Sequence, residues 1–174
     1  MRTVWYFAYG SNMQTATLRG RRGIAYRSAL PARVGGWRVV FDKPPLVPIG
    51  EGFANLLPDP DADALGVLFE LERADLDHLE LTEGVPIGNY ARVTVTAAPL
   101  DTNPNPLTAV TFSSDRRDPS LLPSTRYMAL LVEGAVEHGL PAEYVEFLRA
   151  VPARPDTEAA RAWAPLVEQA LRRG

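Results

Sequence analysis

The stretch Tyr6–Met13, which reads YFAYGSNM, decides the fold of this chain. Side chains alternate between the two faces of a β-strand, and the apolar run that ends at Tyr9 fills both faces. A strand that is apolar on both faces is typical of a central, buried position in a sheet. Gly10 permits a sharp reversal directly after it. The sequence therefore predicts a rigid strand that ends in a tight turn.

The residues after Gly10 predict the start of a helix. Ser11 with Gln14 three positions later matches a capping box, and the helix is expected to run through about Arg19. Unpaired backbone amides at a helix start attract carboxylate or phosphate groups. We therefore interpret the turn Tyr9–Asn12 as an anion site. The same order of strand, glycine and helix is also common without a ligand, so the interpretation needs a second element.

Composition bounds the class of protein. The chain has 174 residues with 46% hydrophobic content, which predicts one domain spanning residues 1–174. It has no cysteine, which excludes disulfides and thiolate nucleophiles and makes a cytoplasmic location the expectation. The net charge of −3 argues against a nucleic-acid partner. The N-terminal apolar run belongs to the first strand, and we expect neither a signal peptide nor a membrane span.

Short apolar or alternating runs separated by turn residues predict six or seven strands and a loop at Pro58–Asp61. A mostly antiparallel sheet that closes toward a small β-barrel is the expected arrangement. The predicted strands are Ala25–Val34, Trp37–Phe41, Gly52–Leu57, Ala64–Leu71, Tyr90–Ala98 and Thr108–Phe112, besides the first.

The C-terminal third predicts helices that pack on this barrel from about residue 124, which makes the fold class α+β. Apolar residues from Tyr127 to His138 recur at helical spacing, and Pro141 starts a second helix. Asp156 is expected to cap a third, which Pro165 should kink or divide.

A carboxylate at the end of another helix is the second element. The segment Arg73–Thr82 predicts a short helix whose inward face carries Leu76 and Leu79. Glu83 lies four residues after Leu79 and projects from the same side. Alternatively, the helix frays and Glu83 points to water.

The surroundings predicted for Glu83 suit proton transfer. A negative charge is disfavoured at the C-terminal end of a helix, and Asp77 and Glu80 add like charges nearby. Burial and these charges favour the protonated form of the carboxyl group. An acid in such a position is often functional.

Other candidate chemistry is weakly supported. The basic segment Arg19–Gly23 is interpreted as a solvated loop or as a patch that steers an anionic substrate. Lys43 is the only lysine, and Schiff-base chemistry is not expected of it. His78 and His138 are expected at the surface or at a helix end, and no G-x-S-x-G elbow supports a serine hydrolase. Metal-ligand spacing is lacking as well, so no metal is predicted.

Together these motifs resemble the gamma-glutamylcyclotransferase family, which combines a YGSN loop with a later EGV-x-x-G-x-Y run. The likeness extends from Tyr6 to about Val151. It is carried by YGSN at Tyr9–Asn12, GVLF at Gly66–Phe69, LELTEGVPIGNY at Leu79–Tyr90, Tyr127, and HGLPAEY at His138–Tyr144.

The resemblance implies a small barrel flanked by helices, and an enzyme that releases 5-oxoproline from a small gamma-glutamyl substrate without metal or cofactor. Glu83 is the implied general acid/base. The turn amides are implied to hold the glutamyl group, and two tyrosines to line the site, although half-buried core tyrosines are the alternative. The implied substrate-binding residues are Tyr9, Gly10, Ser11, Asn12, Tyr90 and Tyr127.

Departures from the family pattern concern the leaving group. The loop Lys43–Gly52 is proline-rich and lacks an expected aromatic residue, and we expect it to set which leaving group is accepted. YGSN in place of YGSL-x-W or YGTL favours gamma-glutamyl dipeptides. A tailoring cyclotransferase that acts on another amine and a non-catalytic barrel that binds an anion or a peptide remain alternatives, and a homodimer is left open.

Overall fold

A closed β-barrel forms the centre of the computed structural model, which describes residues 2–101 and 105–171. In these ranges the strand order is β1-β3-β2-β4-β5, with antiparallel neighbours except for the parallel pair of β1 and β5. The predicted α+β class and mostly antiparallel barrel are confirmed. The strands are β1 Thr3–Ala8, β2 Tyr26–Lys43, β3 Phe53–Glu72, β4 Ala91–Pro99 and β5 Leu107–Ser113.

Strand β1 lies between β3 and β5, as its apolar pattern predicts. Phe7 and Ala8 are fully buried at its end. Gly66 of β3 makes this close packing feasible, because a Cβ atom there would lie 2.2 Å from the carbonyl oxygen of Ala8. The barrel thus holds the residues after Ala8 in a fixed place.

The predicted number of strands is wrong, because β2 and β3 each contain two of the predicted strands. The Pro58–Asp61 loop lies inside β3. Gly35 pairs with Asp63 and Trp37 pairs with Pro58, so residues 59–62 bulge where a single residue of β2 stands opposite. A bulge accommodates prolines, which lack the backbone donor that a regular ladder requires.

The helices differ from the predicted ones mainly at the first turn. A 3₁₀ turn, Ser11–Met13, and a π-helix, Ala16–Arg21, replace the single predicted helix. The predicted capping box is wrong, because the Gln14 side chain bonds Thr17 and Glu133. The remaining helical elements are α1 Arg73–Thr82, a 3₁₀ turn Val85–Ile87, α2 Thr125–Glu137, α3 Ala142–Ala150 and α4 Glu158–Leu171.

Helix α4 corrects the predicted cap and excludes one of the two effects predicted for Pro165. It continues through Pro165, which therefore does not divide it. Its first turn is capped by Thr157, whose Oγ1 accepts a hydrogen bond from the Ala160 amide at 3.0 Å, and not by Asp156. Asp156 instead bonds Arg126 of α2. No helix in the described ranges has both the length and the apolar character needed to cross a membrane.

Helix α2 packs directly on the turn that follows β1. Ser124 caps this helix by accepting a hydrogen bond from the Tyr127 amide at 3.1 Å. Gly134 faces the turn, and a Cβ atom there would lie 2.6 Å from the Gln14 nitrogen and 2.7 Å from the Met13 carbonyl carbon. The turn is therefore confined between the barrel and α2.

Gly134→Ala is expected to destabilise the protein by roughly 1–3 kcal/mol, because the added methyl group must displace backbone atoms. Gly20→Ala is the matched control, since a Cβ atom at Gly20 meets nothing within 4 Å. Urea unfolding monitored by circular dichroism gives both free energies of unfolding. Equal stabilities of the two variants would contradict the tight contact between α2 and the turn.

Candidate active site

A pocket of about 370 Å³ opens beside the turn that follows β1. It brings together every site residue predicted from the sequence, which are Tyr9, Gly10, Ser11, Asn12, Glu83, Tyr90 and Tyr127. The loop after β2 and helix α4 complete its wall. Residues from distant parts of the chain therefore meet in one cavity.

Glu83 lies in this wall at the end of α1. Its amide bonds the Leu79 carbonyl at 2.9 Å, and Gly84 ends the helix in the left-handed region with a φ of 72°. Only 15% of the Glu83 side chain is exposed. The alternative in which a frayed helix end directs Glu83 into water is wrong.

The predicted like charges near Glu83 are engaged elsewhere. Asp77 pairs with Arg73 at 3.1 Å, and Glu80 pairs with Arg92 at 3.2 Å. The group that faces Glu83 is instead a cation, Arg22. The Glu83 carboxylate therefore faces a positive charge, whereas the helix sequence alone predicts negative neighbours.

Arg22 is the main functional residue that sequence reasoning did not place in the site. Its Nη2 lies 2.9 Å from Glu83 Oε1, and its Nη1 donates to Thr82 Oγ1 at 3.0 Å. Only 11% of its side chain is exposed, so the solvated-loop interpretation is wrong for this residue. The basic run was the available signal, but its contact with α1 depends on the path of the π-helix.

Asn12 links the turn to the carboxylate. Its Nδ2 donates to Glu83 Oε1 at 3.1 Å and to the Tyr6 hydroxyl at 3.0 Å. Its Oδ1 is buried and has no hydrogen-bond partner in the part of the chain that the structure describes. An unsatisfied buried acceptor is costly and suggests a ligand donor. The side chain is therefore suited to receive an N–H group beside Glu83.

Tyr90 and Tyr127 bind the two backbone polar groups of one residue, Ala54. The Tyr90 hydroxyl donates to the Ala54 carbonyl at 3.0 Å, while the Tyr127 hydroxyl accepts from the Ala54 amide at 3.1 Å. Burial raises the pKa of Tyr127 to about 12 and holds the pKa of Tyr90 well above the ordinary tyrosine value, so both hydroxyls are neutral. Both rings therefore support the fold and also line the pocket.

The turn itself is less open to an anion than the sequence predicts. The Ser11 amide faces the Tyr127 hydroxyl oxygen. That oxygen already accepts from Ala54, so the Tyr127 proton is left to be donated. A Cβ atom at Gly10 would lie 3.1 Å from the same hydroxyl, which explains the glycine. A carboxylate bound here would meet the Tyr127 proton, because the Ser11 amide is directed at the hydroxyl oxygen.

Tyr9 contributes a wall and not a hydrogen bond. Its ring lines the pocket, but its hydroxyl donates to the Phe112 carbonyl oxygen of β5. Burial raises its pKa well above the ordinary tyrosine value. Its polar group therefore serves the barrel.

Lys43 is a second residue that the sequence did not place in the site. It is 1% exposed, and its Nζ donates to Asn89 Oδ1 at 2.7 Å and to the Pro44 carbonyl at 2.8 Å. The ammonium also lies 4.5 Å from the centroid of the Tyr90 ring. Asn89 in turn donates to the Glu83 carbonyl at 2.9 Å. Burial, aided by the charge of Arg116, lowers the pKa of Lys43 to about 8.

The proline-rich loop and α4 form one continuous wall. Glu51 is 1% exposed and accepts a hydrogen bond from the Thr157 amide at 3.1 Å. The Thr157 hydroxyl donates to the Ile49 carbonyl at 2.5 Å. Leu46 and Val47 of the loop, with Trp163 and Val167 of α4, line the pocket. The loop therefore borders the pocket, as expected, and α4 borders it on the same side.

The structure gives little support to a metal site or to a serine hydrolase site that would use Ser124 and His138. No group of three His, Cys, Asp or Glu side chains that could hold a metal ion occurs within residues 2–101 and 105–171. His138 lies 3.3 Å from Thr15 Oγ1, outside the residues that line the pocket. Ser124 is buried as the cap of α2.

The lowered pKa of Lys43 predicts a pH-dependent contribution to stability. Between pH 8 and the ordinary lysine value of 10.5, the unfolded chain holds a proton that the folded chain has lost. The free energy of unfolding of the parent, minus that of Lys43→Met, should therefore rise across this range by on the order of 2 kcal/mol. Urea unfolding of both proteins at several pH values measures this difference. A flat difference would contradict a buried ammonium.

Comparisons with known proteins agree with the fold. Residues 63–148 match the AIG2-like family. The chain is 28% identical over 153 residues to the gamma-glutamylcyclotransferase of Bos taurus and 29% identical over 150 residues to that of Homo sapiens, each match covering 84% of this chain and 77% of the relative. A solved gamma-glutamyl cyclotransferase superposes with a TM-score of 0.80 and 25% identity, covering 97% of this chain and 99% of that one. These matches confirm the predicted resemblance to the gamma-glutamylcyclotransferase family.

Proposed function

We propose that this protein is a gamma-glutamylcyclotransferase that converts gamma-glutamyl amino acids to 5-oxoproline and a free amino acid. The observation that carries the proposal is the Glu83 carboxylate, which Arg22 and Asn12 hold in the wall of the pocket at 2.9 and 3.1 Å. Relatives named gamma-glutamylcyclotransferase support cyclotransferase chemistry. The preference for dipeptides is a further part of the proposal.

The reaction is intramolecular. The α-amine of the glutamyl group attacks its own γ-carbonyl carbon, a ring C–N bond forms, and the C–N bond to the leaving amino acid breaks. Starting from the α-ammonium, two protons pass from the attacking nitrogen to the leaving nitrogen, which gives the ring N–H and the released ammonium, so atoms and charge balance without water. Holding a folded-back conformer of this kind can contribute up to about 7–11 kcal/mol to the rate. Positioning is therefore the main task of the pocket.

Tyr127, Glu83 and Asn12 would bind the two charged groups of the glutamyl end of the substrate. The substrate α-carboxylate would accept the proton of the Tyr127 hydroxyl. Its α-ammonium would donate to Glu83 and to Asn12 Oδ1, which has no partner among the described residues. The amine thereby approaches the carboxylate that must remove its proton.

Glu83 is the proposed proton carrier. It takes each of these protons from the attacking nitrogen and passes it to the leaving nitrogen, a role typically worth about 10²–10⁴-fold in rate. Arg22 stabilises the negative charge of Glu83 before and after the transfer. A protonated Glu83 loses part of this attraction, which favours return of the proton.

The experiment that tests this proposal is incubation with gamma-glutamyl dipeptides, glutathione and gamma-glutamylamines, with detection of 5-oxoproline. We expect dipeptides to be the preferred substrates. Turnover of amines alone would favour a tailoring cyclotransferase. Binding without 5-oxoproline release would favour a non-catalytic barrel.

Glu83→Gln should lower kcat by about 10²–10⁴-fold, because the amide retains the shape of the side chain but cannot carry the proton. Substrate affinity should change much less. Glu80→Gln is the matched control on the same helix, since Glu80 pairs with Arg92 and does not line the pocket. Steady-state rates and binding titrations give both quantities. A folded Glu83→Gln protein with near-parent kcat would overturn the role of Glu83.

A further inference from the structure

The cations that line the pocket differ in how their charge is balanced. Three of them are arginines with a carboxylate partner, in the pairs Arg21 with Glu168 at 3.7 Å, Arg22 with Glu83 at 2.9 Å, and Arg126 with Asp156 at 2.7 Å. Lys43 also lines the pocket, but its hydrogen-bond acceptors are the neutral oxygens of Asn89 and Pro44. Within the described residues no carboxylate forms an ion pair with it.

A buried ammonium without a counter-ion is an unfavourable arrangement. Lys43 is 1% exposed, and transfer of a charge out of water costs free energy that neutral acceptors repay only in part. Its lowered pKa of about 8 reflects the same penalty. Two acceptors occupy two of its three N–H donors. A methionine would fill similar space without this penalty, so packing alone does not explain a lysine.

The position of Lys43 separates it from the turn that would hold the glutamyl group. Gly10 approaches the Tyr127 hydroxyl, and Tyr127 and Tyr90 bind the backbone N–H and C=O of Ala54. Lys43 lies over the ring of Tyr90, at the end of this series of contacts. Gly10 and Lys43 line the same pocket, so a substrate with its glutamyl end at Gly10 has Lys43 available to its other end.

The loop that begins at Lys43 borders the same end of the pocket. Pro45, Leu46 and Val47 line the pocket directly after the lysine. Arg116 donates to the same Asn89 oxygen as Lys43, at 2.9 Å. Apolar side chains next to this positive charge suit a group that carries both a carbon side chain and a negative charge. An amino acid released with a free α-carboxylate has this chemistry.

We propose that Lys43 determines the leaving-group specificity by binding the α-carboxylate of the amino acid that is released. This inference rests on the proposed function and deepens it. The substrate class is then a gamma-glutamyl compound whose leaving amine carries a carboxylate next to the scissile bond. A neutral leaving amine gains nothing from Lys43, and a cationic one is repelled by it.

The test compares gamma-glutamyl-alanine with gamma-glutamyl-alaninamide, which share a shape but differ in this charge. At neutral pH the parent protein should release 5-oxoproline from the acid with a kcat/KM at least about tenfold higher than from the amide. Lys43→Met should reduce this ratio to below about threefold, and Lys43→Arg should retain most of it because the charge is kept. A merely structural role would lower both rates and leave the ratio unchanged.

The outcomes separate the inference from the proposed function. Equal kcat/KM values for the acid and the amide in the parent protein would overturn the inference, whether or not any variant folds. A parent-like ratio in folded Lys43→Met would overturn it as well. If neither compound yields 5-oxoproline, the proposed function fails, and equilibrium binding of the same two compounds decides the inference. Tighter binding of the acid that is lost in Lys43→Met supports it, and equal binding overturns it.

Discussion

The ion pair between Arg22 and Glu83 connects the parts on which the pocket depends. It joins the segment after the first turn to the end of α1, while Asn12 bonds the same carboxylate oxygen from the turn itself. A partly buried pair of this kind adds little net stability, because both charges lose water. Its value lies in geometry. Arg22 and Asn12, from two other segments, both contact the same oxygen atom of Glu83. These contacts fix the direction of the carboxylate, which chemistry that depends on orientation requires.

The barrel supplies the rigidity behind this arrangement. Strand β1 is paired on both sides and ends at the turn, and α2 covers the turn through the close contact at Gly134. Tyr127 and Tyr90, from two other segments, bind the backbone N–H and C=O of Ala54 at the start of β3. Site residues whose rotamers are held by packing and hydrogen bonds lose little entropy when a substrate binds. Fold and site are therefore maintained by the same contacts.

Local patterns predicted some of these features well. The strand that ends at Ala8, the helix Arg73–Thr82 and the inward direction of Glu83 all follow from side-chain periodicity and a terminating glycine. The continuity of β3 was not predicted, because it depends on pairing with β2. The bulge at residues 59–62 allows a proline-containing segment to remain within the strand. The pairing of Arg22 and the burial of Lys43 arise from tertiary contacts alone. A basic run and a lysine in a proline-rich loop otherwise predict solvated residues.

The bonds from Thr157 to Ile49 and Glu51 have a consequence for how this pocket can diversify. A change in the length or direction of α4 displaces Thr157, and with it the loop that faces the leaving group. The two segments, about a hundred residues apart in sequence, therefore vary as one unit. Insertions in the loop are tolerated only where the positions of Ile49 and Glu51 are preserved, whereas the residues between Pro45 and Val47 are free to change. Substrate range can thus shift through a few side chains without disturbing the base at Glu83.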